Sequence, residues 1–153
     1  TEVDGLVFAD DWGGQSSLLV APDLWREIFK PLYRDYVEIA HRHGKYAFMH
    51  SDGAIAAILP DLVEIGLDAL NAQLFTMDIG AIGKRFAGRL TFWGEVDRQW
   101  LLPYGSPADV AEAVRTVRQA LWREGGVIAQ CEFGIGARPE NVAAVFDAWD
   151  TLT

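Results

Sequence analysis

The sequence predicts an α/β protein in which five βα units follow one another and build a parallel sheet with helices packed outside it. Three features lead there. Five short apolar runs each stop abruptly at polar residues or glycine. The segments between them carry apolar residues three and four apart, which is the helical period. Glycine and proline fall mostly at the joints between these stretches.

The first run, Leu6–Ala9, breaks at Asp10-Asp11-Trp12-Gly13-Gly14. A helix should follow, with Pro22 in its first turn and Leu24, Ile28, Leu32, Tyr36, Ile39 and Ala40 on its apolar face. Pro31 falls inside this segment and predicts a kink or a break there. His43-Gly44 is its stop signal. Tyr46–Met49 is the second strand, followed by a helix from about Ala54 to Ile65 that Gly66 ends. Leu67–Ala72 is the third strand, and a short helix follows over Ile79–Phe86. Leu90–Trp93 is the fourth, closing at Gly94-Glu95-Val96-Asp97. Ser106-Pro107-Ala108-Asp109 combines an N-cap hydroxyl, a proline at N1 and a first-turn carboxylate, so a helix starts there. Val110, Ala113, Val114, Val117 and Leu121 form its apolar face, and Gly125-Gly126 ends it. Val127–Ala129 is the fifth strand and Pro139-Glu140-Asn141 opens the last helix. Such a sheet closes in one of two ways, as a doubly wound open sheet or as part of a (β/α)8 barrel, and composition fits both.

At 153 residues the chain has the length of one domain, and half of its residues are hydrophobic, with six Trp and eight Phe to fill a core. The formal net charge of −9 argues against nucleic acid or an anionic membrane as a partner. No apolar run reaches the roughly 18–20 residues of a membrane span. The opening Thr1-Glu2-Val3-Asp4-Gly5 has neither the basic nor the apolar region of a secretory leader. With one cysteine, Cys131, an internal disulfide is impossible; a reducing, cytoplasmic setting is the expectation.

Every expected strand end carries polar groups: Asp10 and Asp11; His50, Ser51 and Asp52; Asn71 and Gln73; Glu95 and Asp97; Cys131 and Glu132. In a parallel α/β sheet these ends share one face, so the groups should converge. Alternation along a strand sends His50 and Asp52 to the same side. His50, Asp52 and Cys131 together offer nitrogen, oxygen and sulfur donors that suit a zinc ion with an open position. The plainer alternative is a hydrogen-bonded histidine, an aspartate capping a turn and a small buried cysteine. Asp11 and Glu95 are the candidates for acid–base or supporting carboxylates, against a polar loop for the first and a structural role for the second, while Asp97 reads as a cap on the following turn. Trp12, Trp93 and Asn71 are the candidates to line a cofactor or substrate pocket, whereas Trp25, Trp122 and Trp149 fall in helices and read as packing. Arg98 beside Asp97 reads as an exposed pair of small energetic value. His41 and His43 read as favourable charges at a helix C-terminus. There is no phosphate-binding G-x-x-x-x-G-K, no complete G-x-G-x-x-G and no G-x-S-x-G elbow.

The motifs also come in a familiar order. Asp10-Asp11-Trp12-Gly13, Phe29-Lys30-Pro31, His41-Arg42-His43-Gly44-Lys45 and His50-Ser51-Asp52-Gly53 succeed one another, then Ile58-Leu59-Pro60-Asp61-Leu62, Gly66-Leu67-Asp68-Ala69-Leu70-Asn71, Phe92-Trp93-Gly94-Glu95-Val96-Asp97 and Pro139-Glu140-Asn141. This succession resembles the uroporphyrinogen decarboxylase-like superfamily, over nearly the whole chain, and is closer to the branch of corrinoid- and coenzyme M-dependent methyltransferases than to the haem-pathway decarboxylase.

The resemblance implies that residues 1–153 are one partial (β/α)8 domain, corresponding to the C-terminal portion of the barrel, roughly strands four to eight. It implies methyl transfer between a methylated donor or corrinoid protein and a thiol or corrinoid acceptor. A divalent metal, zinc first, would be held by His50, Asp52 and Cys131. The zinc branch has His-x-Cys followed by a late Cys; here Asp52 stands at the middle cysteine, which hardens the donor set and opens it to other divalent metals. Decarboxylation or lyase chemistry, with His50 and Asp52 as acid and base, is the alternative within the fold; an inactive half-barrel serving as a binding or assembly module is the non-catalytic one. The arginine-bearing N-terminal part that holds porphyrin carboxylates in decarboxylases has no counterpart here. Five strands cannot close an eight-stranded barrel, so the expectation is a fragment of a longer protein, inactive alone, with open edges that favour a homodimer.

Overall fold

Strand order decides between the two closures. The computed structural model describes residues 3–152, so Thr1, Glu2 and Thr153 of the sequence lie outside the described residues. The elements run β1 (Gly5–Ala9), α1 (Pro22–Arg42), β2 (Tyr46–Ser51), α2 (Leu59–Glu64), β3 (Ala69–Ala72), a 3-10 turn (Leu74–Thr76), α3 (Ile79–Phe86), β4 (Thr91–Gly94), α4 (Leu101–Tyr104), α5 (Pro107–Leu121), β5 (Val127–Ala129) and α6 (Pro139–Leu152). All four strand pairings are parallel, in the order β1-β2-β3-β4-β5. A doubly wound sheet reverses direction at a switch point, whereas this one steps the same way each time, as a barrel wall does. The fold is five βα units of a partial (β/α)8 barrel.

The two sheet faces differ. Ala47, Met49 and Ser51 of β2, Leu70 and Ala72 of β3 and Phe92 of β4 are buried in the layer between sheet and helices. The alternate residues look inward: Tyr46 and Phe48 of β2, Trp93 of β4, and Val7 of β1, whose register partner is Phe48. Val7 and Tyr46 stay exposed, at 56% and 59%, so the inner wall is apolar and uncovered. The outer layer is continuous through Trp25, Met49, Ile58, Leu62, Leu70, Phe92, Val114 and Val145, each fully buried.

Three expectations change. Helix α1 runs through Pro31 without a break. Trp25 before the proline, and Tyr33, Val37 and Ala40 after it, are buried against the sheet. Burial of these side chains, worth roughly 1.5–3 kcal/mol each, outweighs the ~3 kcal/mol of an internal proline. These residues, rather than the Leu24–Ile28–Leu32–Tyr36–Ile39 stripe, are the packed face; that stripe is 43–47% exposed. The helix has two apolar stripes, and periodicity cannot rank them. Helix α2 starts at Leu59 rather than near Ala54, because Pro60 belongs in a first turn and Gly53 takes φ +77° just before. Ser106 and Asp109 form the expected capping box on α5.

Gly13 and Gly53 lock the first two strand-end loops together. A Cβ on Gly53 would lie 2.3 Å from the backbone of Gly13, and one on Gly13 would lie 2.5 Å from Gly53. Gly13 N–H donates to Asp52 O at 3.2 Å and Ala54 N–H to Gly14 O at 2.8 Å. Gly53→Ala combines this clash with positive φ, so a loss of about 3 kcal/mol, roughly 6–12 °C in Tm, is expected in thermal unfolding. Gly14→Ala, whose nearest neighbour would be 3.4 Å away, should cost less than about 1 kcal/mol.

Candidate metal and acid–base site

One row of register partners crosses the inner face at the carboxyl ends of the strands: Ala9, His50, Asn71, Trp93 and Ile128. Two residues further along each strand come Asp11, Asp52, Gln73, Glu95 and Gln130, all polar. The site is built from these two rows and from Arg98 and Glu132 beside them.

His50 is fixed in orientation and tautomer by Asn71. The Asn71 amide Nδ2 donates to the carbonyl of Trp93 at 2.7 Å and to Gln130 Oε1, so its Oδ1 is the atom that faces His50. His50 Nδ1 stands 2.6 Å from that oxygen and must carry the proton. Nε2 faces two carboxylates, Asp11 Oδ1 at 3.3 Å and Asp52 Oδ1 at 3.9 Å. An imidazole held by one nitrogen with the other turned to carboxylates is an arrangement that both metal ligation and proton transfer use.

The carboxylates are held from behind. Asp11 Oδ1 accepts the Asp52 N–H at 2.9 Å. Asp10 Oδ2 accepts the Tyr33 hydroxyl at 2.6 Å, and Tyr33 in turn accepts Trp12 Nε1–H at 2.9 Å. Burial and the neighbouring Asp10 push the Tyr33 hydroxyl upward, so it stays a donor. Trp12 N–H donates to Ser51 Oγ at 3.0 Å, tying the two strand ends together. Asp52 Oδ2 pairs with Arg98, while Asp52 Oδ1 is buried with no hydrogen-bond partner among the described residues.

Arg98 is the residue that sequence reasoning undervalued. It is 19% exposed, pairs with both Asp52 and Glu132, and lies 3.7 Å from Glu95 Oε2, far from the loose surface pair with Asp97 that its neighbourhood in sequence implies. Asp97 instead accepts the backbone N–H groups of Gln99 and Trp100. Only the polar character of the β4 end hinted at this; the partners come from β2 and from the segment after β5. Glu95 is 3% exposed and neither carboxyl oxygen has a hydrogen-bond partner among the described residues. Burial pushes its pKa up to about 8; Arg98 pulls it down, and the charges of Glu132 and Asp52 push it further up.

Of the expected ligands, His50 and Asp52 come together and Asp11 joins them, with donor atoms within 4.8 Å of one another. A second such group is Asp52, Glu95 and Glu132. Cys131 is in neither: it packs against the hydrophobic core, and burial with the charge of Glu95 raises its thiol pKa. Trp93 lies on the inner face, edge-on to Phe48 at 6.4 Å. Trp12 faces the other way, among Trp25, Phe29 and Tyr33, where it packs the loop onto α1. His41 pairs with Asp68 at 2.8 Å in the last turn of α1, away from the site.

The raised pKa of Glu95 has a thermodynamic sign. Below pH 4.5 the carboxyl is protonated folded and unfolded; as pH rises to about 8 the unfolded state ionises first, so stability falls across that window. Glu95→Gln removes the effect. Its Tm relative to wild type should rise by roughly 4–8 °C between pH 5 and pH 8.5, about 2 kcal/mol. A constant difference across the range would contradict the buried neutral acid.

A model of the Uroporphyrinogen decarboxylase (URO-D) family matches residues 2–152. No curated protein matches the chain significantly. Among solved structures, a methyltransferase from Methanosarcina mazei superposes with a TM-score of 0.73 at 20% sequence identity. The match covers 97% of this chain and 42% of that one, so this chain spans less than half of that protein's length. Identity this low speaks for the shared fold.

Proposed function

The chain belongs to the uroporphyrinogen decarboxylase family, and from that premise we propose that it carries the metal-binding half of a methyltransferase. The transfer runs between a methylated donor or a corrinoid protein and a thiol or corrinoid acceptor. The observation that carries this reading is the pinned His50 ring, whose free Nε2 faces Asp11 and an orphaned oxygen of Asp52. Asp52 Oδ1 is buried without a hydrogen-bond partner among the described residues, and a cation beside it would relieve the cost of that burial. The donor set of one imidazole and two carboxylates fits a divalent metal, zinc first and manganese or iron after it.

His50 Nε2, Asp11 and Asp52 would hold the ion, which when bound lowers the pKa of a thiol or water presented to it. Asn71 holds His50 through Nδ1, which leaves Nε2 as the nitrogen turned toward the ion's place. Arg98 neutralises the second oxygen of Asp52 and keeps that carboxylate in place. Glu95 keeps its proton at neutral pH and can deliver it to a leaving group, or take one from an incoming thiol above pH 8. Phe48 and Trp93 present apolar surface on the inner face beside His50.

A second reading has its own observation. His50 Nε2 lies 3.3 Å from Asp11 Oδ1, a separation that suits a decarboxylase or lyase acid–base pair, with Glu95 as the proton source. Metal analysis separates the two. The chain, dialysed after exposure to zinc, should retain about one equivalent, and less than about a tenth of an equivalent would sink the metal reading. His50→Ala should abolish retention. Asn71→Ala should weaken zinc about 10–100-fold in competition with a chelating dye, because the ring then turns freely. Turnover of methylated corrinoid and thiol, followed as thioether by mass spectrometry, is expected only when the remaining barrel units are supplied.

A further inference from the structure

Asp52 is shared between two groups of donors. The first is Asp11–His50–Asp52; the second, Asp52–Glu95–Glu132, consists of carboxylates alone, with donor atoms within 4.8 Å of one another. The second group is more than a surface cluster. Glu95 is 3% exposed, both of its oxygens lack a partner among the described residues, and its carboxyl is aimed at the other two. Arg98 sits among them, paired with Asp52 and Glu132 and 3.7 Å from Glu95 Oε2, too far for a hydrogen bond. The guanidinium thus hydrogen-bonds two of the three acidic groups, and the most deeply buried, Glu95, is the one left without a donor.

We propose that Asp52, Glu95 and Glu132 form a second site, for a hard divalent cation of the magnesium–manganese class, in which Arg98 is the built-in competitor and Asp52 the bridge to the first site. Oxygen-only donors select hard cations over zinc, whose nitrogen donor is next door on His50. A carboxylate shared by two groups is the usual link of paired metal sites, whose ions stand about 3.5–4 Å apart. Arg98 leaves from the loop between β4 and α4 on a long flexible stem and is partly exposed, so it can yield its place without unfolding a strand. The bridge to the first site rests on the metal reading above; the second site needs neither His50 nor Asp11.

Manganese is the probe. Free Mn2+ is followed by electron paramagnetic resonance during titration of the zinc-loaded chain and of Arg98→Met, Glu132→Gln and His50→Gln variants. Wild type should bind one Mn2+ weakly, in the millimolar range, with displacement by Mg2+. Arg98→Met should tighten it at least about tenfold, since the competing cation is gone, and Glu132→Gln should weaken it by about as much. Glu132 is 42% exposed, so that variant folds even where Arg98→Met does not. Equal Mn2+ affinity in wild type and Arg98→Met, or affinity unmoved by Glu132→Gln, overturns the second site. His50→Gln separates the two ideas, because it loses the first site and should keep the Mn2+. No zinc in wild type with Mn2+ binding intact would sink the first reading and leave this one standing.

Discussion

The contact between Gly13 and Gly53 is the constraint on which the site depends. Two loops, each leaving the carboxyl end of its own strand, approach until no Cβ fits between them. The approach lets Asp52 N–H reach Asp11, Trp12 N–H reach Ser51, and Ala54 N–H reach Gly14. Without it Asp11 would be an aspartate on a free loop. With it, the carboxylate of one loop is held against the histidine of the other strand, and the aromatic wedge of Trp12, Phe29 and Tyr33 backs the pair against α1.

The sheet supplies the second level of order. Parallel register places His50, Asn71, Trp93 and Ile128 side by side, so Asn71 can take its bearings from the Trp93 carbonyl and pass them to His50. A backbone group thereby sets the tautomer of a side chain two strands away. The inner wall below that row is apolar and open, and the Leu24–Ile39 stripe of α1 is also open. Both surfaces are of the kind that a complete barrel covers, which agrees with a chain spanning 42% of the solved methyltransferase it resembles in fold.

Much of this was legible in the residues. Strand alternation alone put His50 and Asp52 on one side, and the punctuation by Gly, Pro and Ser106 located α3, β5 and the start of α5, whose end at Leu121 falls short of the expected stop at Gly125-Gly126. What escaped was long-range. Which stripe of α1 faces the sheet depends on Tyr33 meeting Trp12 and Asp10, contacts separated by more than twenty positions. Arg98 looked like a neighbour of Asp97 because nothing local announces that Asp52 and Glu132 approach it from other loops. Cys131 was read by analogy with a late thiolate ligand; nothing local shows that this side chain packs against the core while Gln130 reaches Asn71.

The place of Asp52 explains why the rest of the site is acidic and why an arginine is there. A thiolate binds one soft metal with one atom, and its environment needs only to exclude oxidants and water. A carboxylate has two oxygens, and in a buried setting each must be balanced. Here one oxygen is balanced by Arg98 and the other has no hydrogen-bond partner among the described residues. Arg98 in turn draws in Glu132 and stands near Glu95, whose proton reduces the negative charge that the cluster would otherwise carry. A carboxylate at this position therefore comes with a charge network behind it. The network holds as a unit: Arg98 without Asp52 would be left with Glu132 and the more distant Glu95, and Asp52 without Arg98 would have no ion-pair partner for its second oxygen.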